Sequence, residues 1–337
     1  MKLSPGWPIS NVQPPAPGQT PGLSHKRAAG REILPEYCSF FRFQDPIMSR
    51  KIDLLPPPAN PRPMKVVVAS PSRSGTMGLY HAMKILGFKT YHLYECMVHC
   101  GTPHMEVCQE AVIAQCNDLS GIKKYSKADY EKWLGDYDCL VEVPSHVGSD
   151  ILEAYADDPN VKFILTERDP DKWVTSVNKT AGALLDMPYT FPFVILKYFD
   201  ATLYRFLVLN ETIYRVMAKC TRPGDEGNAM ALRKGYTDYI KKAKQIIPAD
   251  RLCYIELEKG LGWENICPFL NLPIPDQDYP GRNEPEKFQA LVQEFLQPKI
   301  NAAIMRLSAI ALPVVGVAGW AAFKYGPQAV AALKKVS

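Results

Sequence analysis

The first run that can do chemistry is Val66-Val67-Val68-Ala69-Ser70-Pro71-Ser72-Arg73-Ser74-Gly75-Thr76, followed by Met77. A valine strand ending in a Ser/Gly turn that opens directly into a helix leaves backbone N–H groups without carbonyl partners. It aims them, with the positive end of the helix dipole, at one point. That point suits an anion, and Arg73, Ser74, Gly75, Thr76 and Met77 are the residues placed to hold it. The nucleotide-triphosphatase loop reads G-x-x-x-x-G-K-[ST], whereas here Ser70 stands for the first Gly and Thr76 for the Lys, which disfavours ATP or GTP hydrolysis. Taken alone, the run is also compatible with an ordinary β-turn-α connection containing an arginine.

A second run narrows the choice. Val161-Lys162-Phe163-Ile164-Leu165-Thr166 is an apolar strand, Arg168 follows its carboxyl end, and Asp169-Pro170 supplies an N-cap and a first-turn proline for a helix. Ser176 lies seven residues, about two turns, beyond the cap and returns to the cap's face. An arginine there can hold a phosphate through a bidentate, charge-assisted pair.

Together the two runs resemble the P-loop sulfotransferase family, in which Lys or Arg precedes Ser/Thr-Gly-Thr and an Arg-x-Pro arginine with a serine eight residues later grips the nucleotide 3′-phosphate. Arg73-Ser74-Gly75-Thr76, and Arg168 with Ser176, match that pattern. Tyr137-Asp138-Cys139-Leu140-Val141-Glu142-Val143-Pro144, Leu152-Glu153-Ala154-Tyr155, Gly262-Trp263-Glu264, Cys267-Pro268-Phe269-Leu270, Pro273, Pro275 and Arg282-Asn283 extend the likeness to the fungal-type branch. It covers roughly Lys65 to Asn283. Gly78 departs from it, since relatives often carry Ser there. The resemblance implies 3′-phosphoadenosine 5′-phosphosulfate as co-substrate, no metal, and sulfonate transfer to a small hydroxylated acceptor. It also leaves room for a pathway enzyme of this fold without sulfonation, or a non-catalytic nucleotide-binding protein, although two phosphate grips argue against the latter.

Such a transfer needs charge stabilisation and a base for the acceptor hydroxyl. Glu142, closing an otherwise apolar strand, is the first candidate, because a carboxylate there has little structural purpose. His146 is the second, with a surface loop histidine as its plain alternative. His92 follows a strand and is a weaker candidate still. His92, Cys96, Cys100, His104 and Cys108 recur every four residues, with His99 between them, but a zinc site is not expected: Gly101 and Pro103 interrupt any helix that would align them. The acceptor wall is expected in the segment after Ser176, which is dense in Met187, Tyr189, Phe191, Phe193, Tyr198, Phe199 and Tyr204.

The elements that must position these groups read as alternating strands and helices. Strands are expected at Lys65–Ala69, Lys89–Leu93, Cys139–Val143, Val161–Thr166 and Leu252–Glu256. Helices are expected at Gly75–Leu86, Val107–Asn117, Lys127–Leu134, Gly148–Ala156, Pro170–Thr180, Asn228–Ile247 and Gly262–Leu270, with Ala181–Cys220 helical as an insert. Repeated βα units imply an α/β fold of P-loop type, a three-layer parallel sheet flanked by helices, with the helical insert and a C-terminal hydrophobic helix.

Residues 1–63, rich in proline, read as a disordered arm, 64–300 as the catalytic domain and 301–337 as a hydrophobic tail. Between Arg306 and Lys324 lie seventeen uncharged residues, Leu307 to Phe323, at the lower limit for a membrane span. The sequence leaves a membrane contact and a core or interfacial helix both open. Of the 337 residues, 47% are hydrophobic and 22% charged, enough for a sizeable core. A net charge of +4 with both signs interspersed gives no basic track for a nucleic acid. Nine cysteines without a disulfide rhythm, and no charged-then-apolar leader, suggest a cytoplasmic chain with reduced thiols.

Overall fold

The structure, a computed structural model, describes residues 49–281 and 285–333. Residues 1–48 of the expected arm lie outside the described residues. The remainder of that arm is part of the domain. Helix α1 (Lys51–Leu54) buries Ile52 completely, its Lys51 and Ile52 amides donate to the Glu110 carboxylate at 2.6 and 3.2 Å, and Arg50 grips Asp129 through two nitrogens. The proline-rich stretch that follows is tied to the domain: the Ala59 and Asn60 amides donate to the Asp136 carboxylate and the Arg62 amide to Gly135 O at 2.7 Å.

The chain then runs β1 (Val66–Val68), α2 (Thr76–Ile85), β2 (Thr90–Tyr91), α3 (Leu93–Val98), α4 (Gly101–Cys116), α5 (Lys127–Leu134), β3 (Cys139–Val141), α6 (Val143–Val147), α7 (Asp150–Ala156), β4 (Lys162–Glu167) and α8 (Pro170–Lys179). The insert contributes α9 (Phe193–Leu196), α10 (Ala201–Met217) and α11 (Asn228–Ile246), and β5 (Leu252–Glu256), α12 (Trp263–Leu270) and α13 (Pro285–Leu333) complete the order. The expected helix over 181–220 is broken: 3-10 turns and the short α9 precede α10, because Pro188 and Pro192 each withhold a helical N–H.

The five strands form one parallel sheet in the order β2-β3-β1-β4-β5. Strand β1 is central, with Val67 opposite Leu140 on one side and Phe163 on the other. Alternation sends Val67, Leu140, Phe163 and Leu165 into the core under α4, α8, α10 and α11, and Val66, Val68, Cys139, Val141 and Ile164 into the core under α2 and α12. Both faces are covered, which is why the inner strands β1 and β3 are apolar throughout. This is the three-layer parallel sheet flanked by helices that the sequence implies. From β1 the chain first moves to β2 and β3, then crosses to β4 and β5, so the strand order reverses beside β1. Crevices at such reversals, outside the carboxyl ends of the strands, are where α/β sheets bind ligands.

Helix α13 is 49 residues long and continuous through residue 300, where a boundary between domain and tail was expected. Leu296, Ile300 and Ala303 are buried against the domain, and the Arg306 guanidinium donates to Phe199 O at 2.8 Å and Asp200 Oδ2 at 2.7 Å. Beyond that point Ile310, Leu312, Val314, Val315, Val317, and Phe323 are exposed.

Candidate active site

The loop between β1 and α2 is held by bonds from three directions. Ser70 Oγ accepts the Thr166 amide at 2.8 Å, Thr166 Oγ1 donates to Ser74 O at 2.5 Å, and Trp173 Nε1 donates to Ser72 O at 2.7 Å. Gly75 caps α2 at φ 86°, a left-handed value that a side chain disfavours, and a Cβ there would meet Leu261 Cδ2 at 2.9 Å. Around it the first-turn amides of α2 have no helical carbonyl to reach. The Ser74 hydroxyl is fully buried in this cradle, beside the Tyr236 hydroxyl.

Arg73, Arg168 and Ser176, expected from two separate runs, come together here. Arg168 Nη1 donates to Arg73 O at 3.0 Å, and Arg73 Nε donates to Ser176 Oγ at 3.2 Å. Tyr236 fixes the base of Arg168, its hydroxyl accepting the Arg168 amide at 2.7 Å and donating to the Arg168 carbonyl at 3.0 Å. Burial holds the Arg73 guanidinium below its ordinary pKa, with Glu142 opposing the shift and the like charge of Arg168 adding to it. Two guanidiniums brought into one partly buried place are an arrangement that an anion relieves.

Glu142 sits at the carboxyl end of β3 with φ 71°, a strained value for a residue with a side chain, and its amide donates to Val68 O at 3.2 Å. Its carboxylate is buried. Thr76 Oγ1 donates to Oε2 at 2.5 Å, His146 Nε2 lies 3.1 Å from Oε1, and His92 Nε2 lies 2.5 Å from Oε2 as a charge contact that is not aligned as a hydrogen bond. Burial alone would raise the Glu142 pKa, but the two imidazoles hold it well below the usual carboxylate range. The His92 Nδ1 accepts the Tyr94 amide at 2.9 Å, so in the neutral ring the proton is on Nε2, facing Glu142. An ionised carboxylate only accepts, so His146 also carries its proton on Nε2, leaving a buried Nδ1 without a partner among the described residues.

These groups line one cavity of about 870 Å³. Its polar end holds Arg73, Thr76, Glu142, Arg168 and Ser176, together with Lys172 and Lys179. Its apolar end is walled by Phe206, Leu209 and Ile213 of α10 and by Leu291, Val292 and Phe295 of α13.

Residues 65–288 match the family model described as a sulfotransferase domain. The chain belongs to the sulfotransferase family. It is also similar to "Ava biosynthesis cluster protein M" of Aspergillus versicolor, 32% identical over 219 residues that make up 64% of this chain and 80% of that protein. A crystal structure of a sulfotransferase from Alicyclobacillus acidocaldarius matches with a TM-score of 0.30 and 13% identity over 74% of this chain and 95% of that one.

Within the sulfotransferase domain, several sequence expectations move. None of Met187, Tyr189, Phe191, Phe193, Tyr198, Phe199 or Tyr204 lines the cavity; its wall comes from α10 and α13 instead. Phe193 is buried in the core, while Phe191 is 80% and Tyr198 71% exposed. The broken helix explains the error, because the aromatics precede the α10 stretch that reaches the site. His92, a minor candidate by sequence, is in direct contact with Glu142. Lys172 and Lys179 were missed, although their place on the face of the helix after Arg168 carries the signal.

At Gly78 a Cβ would come within 3.0 Å of Pro280 O and 3.4 Å of Tyr279 Cε1, so the segment before α13 occupies the space that a serine would need. The four-residue series of histidines and cysteines is split between α3 and α4 by Gly101 at φ 75°. His92 caps α3, His104 Nδ1 meets Tyr91 OH at 3.1 Å and Cys100 Sγ meets Tyr137 OH at 3.3 Å, each side chain already having a local partner.

Proposed function

We propose that the protein transfers sulfonate from 3′-phosphoadenosine 5′-phosphosulfate to a hydroxyl of a small apolar molecule. The observation that carries this is the convergence of Arg73, Arg168 and Ser176 at one end of a cavity whose other end is apolar.

The fit to such a nucleotide can be judged from the donors. The α2 amides, Ser74 Oγ and Thr76 suit the phosphosulfate oxygens, and Arg168, Ser176 and Lys172 suit a second phosphate on the ribose. When bound, the nucleotide supplies the sulfonate and leaves as the 3′,5′-bisphosphate. The bond formed is acceptor oxygen to sulfur, the bond broken is sulfur to the bridging phosphate oxygen, and the acceptor's proton must leave.

Glu142 is the group for that proton. His92 and His146 both turn Nε2 toward it, so those nitrogens carry protons and cannot accept one, whereas the carboxylate can. His146 is read as a positioning residue that holds the carboxylate in place. The depressed pKa keeps Glu142 ionised below the usual carboxylate range and weakens it as a base, and the two imidazoles set that balance. Arg73, between loop and base, offsets charge building on the bridging oxygen.

The helix residues 288–328 are long and apolar enough to cross a membrane, and almost none of their most apolar stretch is buried. We read α13 as anchoring a cytoplasmic catalytic domain to a membrane through residues 307–323.

Calorimetry with 3′-phosphoadenosine 5′-phosphate tests the nucleotide reading. It should bind far more tightly than 5′-AMP or ATP, and equal affinity for AMP would overturn the assignment of Arg168 and Ser176.

A further inference from the structure

Exposed large apolar side chains are scattered singly over most of the domain, as at Leu54, Leu119 and Met230. One stretch differs: within ten residues Tyr189, Phe191, Val194, Ile195 and Tyr198 are all exposed. None of them lines the cavity. We infer that residues 189–198 form a second membrane contact that lies on the lipid surface where α13 enters it, holding the cavity against the bilayer so that its acceptor is a lipophilic hydroxylated molecule drawn from the lipid phase. This rests on the reading of α13 as a membrane helix.

Position supports it first. Helix α9 and the 3-10 turn after it pack against α13, and Arg306 is bonded to Phe199 and Asp200 at the end of this same stretch. Directly after Arg306 come the seventeen uncharged residues, so a helix entering lipid there brings residues 189–198 to the boundary. Chemistry supports it second. The stretch carries two tyrosines, and the Lys197 ammonium lies over both rings, 5.3 Å from Tyr189 and 5.1 Å from Tyr198, an amphipathic set suited to the headgroup region.

A second copy of the chain fits less well as the occupant. Val314, Val315, Val317, Trp320 and Phe323 are exposed around the whole circumference of α13, whereas a helix that pairs with another is apolar along one stripe. The cavity lies close by. Phe295, in its apolar wall, is eleven residues before Arg306 on the same helix, about 16 Å at 1.5 Å per residue.

The test uses the full chain carrying Trp320→Phe with either Phe191→Trp or Tyr198→Trp, mixed with phosphatidylcholine vesicles brominated near the headgroup. Both proteins should float with the vesicles, and lipid bromine should quench most of the emission that the added tryptophan contributes. Flotation without quenching at either position overturns this inference and leaves the anchor standing. Absence of flotation overturns both, while bisphosphate binding reports separately on the nucleotide site. Unquenched emission with a dimeric mass in sedimentation would assign the stretch to a second copy and overturn it as well.

Discussion

The two ends of the cavity are built on opposite plans. The polar end comes from three short junctions, β1 to α2, β3 to α6 and β4 to α8, each of which keeps its functional residues within about two turns, and hydrogen bonds to the backbone clamp the first and third together. The apolar end comes from α10 and α13, helices about eighty residues apart in the chain and joined only by packing. Rigid local geometry suits a fixed, highly charged ligand; a wall of packed side chains can change its shape by substitution without disturbing the anion grip. On the proposed function, the contrast teaches that donor recognition and acceptor choice are separable.

The largest expected effect lies at the proposed proton acceptor. Glu142→Gln keeps size and hydrogen bonding but removes the proton acceptor, so turnover should fall by roughly 10²–10⁴-fold while bisphosphate affinity measured by calorimetry persists. Loss of both together would make the strand end structural. At the polar end alone, Arg168→Ala should weaken the bisphosphate by about 2–4 kcal/mol, leaving 5′-AMP nearly unaffected. At the apolar end alone, Phe295→Ala should raise KM for an apolar acceptor roughly tenfold, in line with about 1–3 kcal/mol for a change in a hydrophobic pocket, without altering nucleotide affinity. Nucleotide affinity that fell with Phe295→Ala would break the proposed separation.

Ser74→Ala should act more on the bound state than on the free one. Thermal unfolding of the free protein should change little, because the buried hydroxyl makes no aligned hydrogen bond, while bisphosphate affinity falls by about 1 kcal/mol. A destabilised free protein would mean that the hydroxyl serves the fold. The smallest effect concerns pH. The pKa of Glu142 is depressed, so its ionised form persists as pH falls and the acid limb of turnover should lie well below the usual carboxylate range. His92→Asn, which removes one of the groups holding it down, should move that limb upward in a pH–rate profile.

The same contrast decides how much could be read from the sequence. Arg73, Ser74, Gly75, Thr76, Arg168 and Ser176 converge because strand-turn-helix junctions are local, and residue type with spacing is nearly sufficient to place them. Glu142 stood out for the complementary reason, a carboxylate among apolar neighbours. The acceptor wall was illegible. Aromatic density pointed to residues 187–204, but which of those side chains turn inward depends on two helix-breaking prolines and on the path of α13, neither of which a local pattern encodes. The order around Arg50–Ile52, inside the expected arm of residues 1–63, was illegible for a related reason, since the Glu110 carboxylate and the Asp129 pair that hold these residues lie far along the chain.

Helix α13 binds two parts of the protein into a common rotational phase. Leu296, Ile300 and Ala303 lie against the domain at spacings of four and three, and the Arg306 bonds fix the same face one turn later. One residue inserted between Phe295 and Leu296 would turn everything beyond it by about 100° relative to Leu291, Val292 and Phe295. Either the cavity wall or the grip on Asp200 would then face the wrong way. Length changes should therefore be tolerated in the exposed stretch after Arg306 but not in the ten positions before it, and sequence drift in this helix is constrained by register as much as by composition.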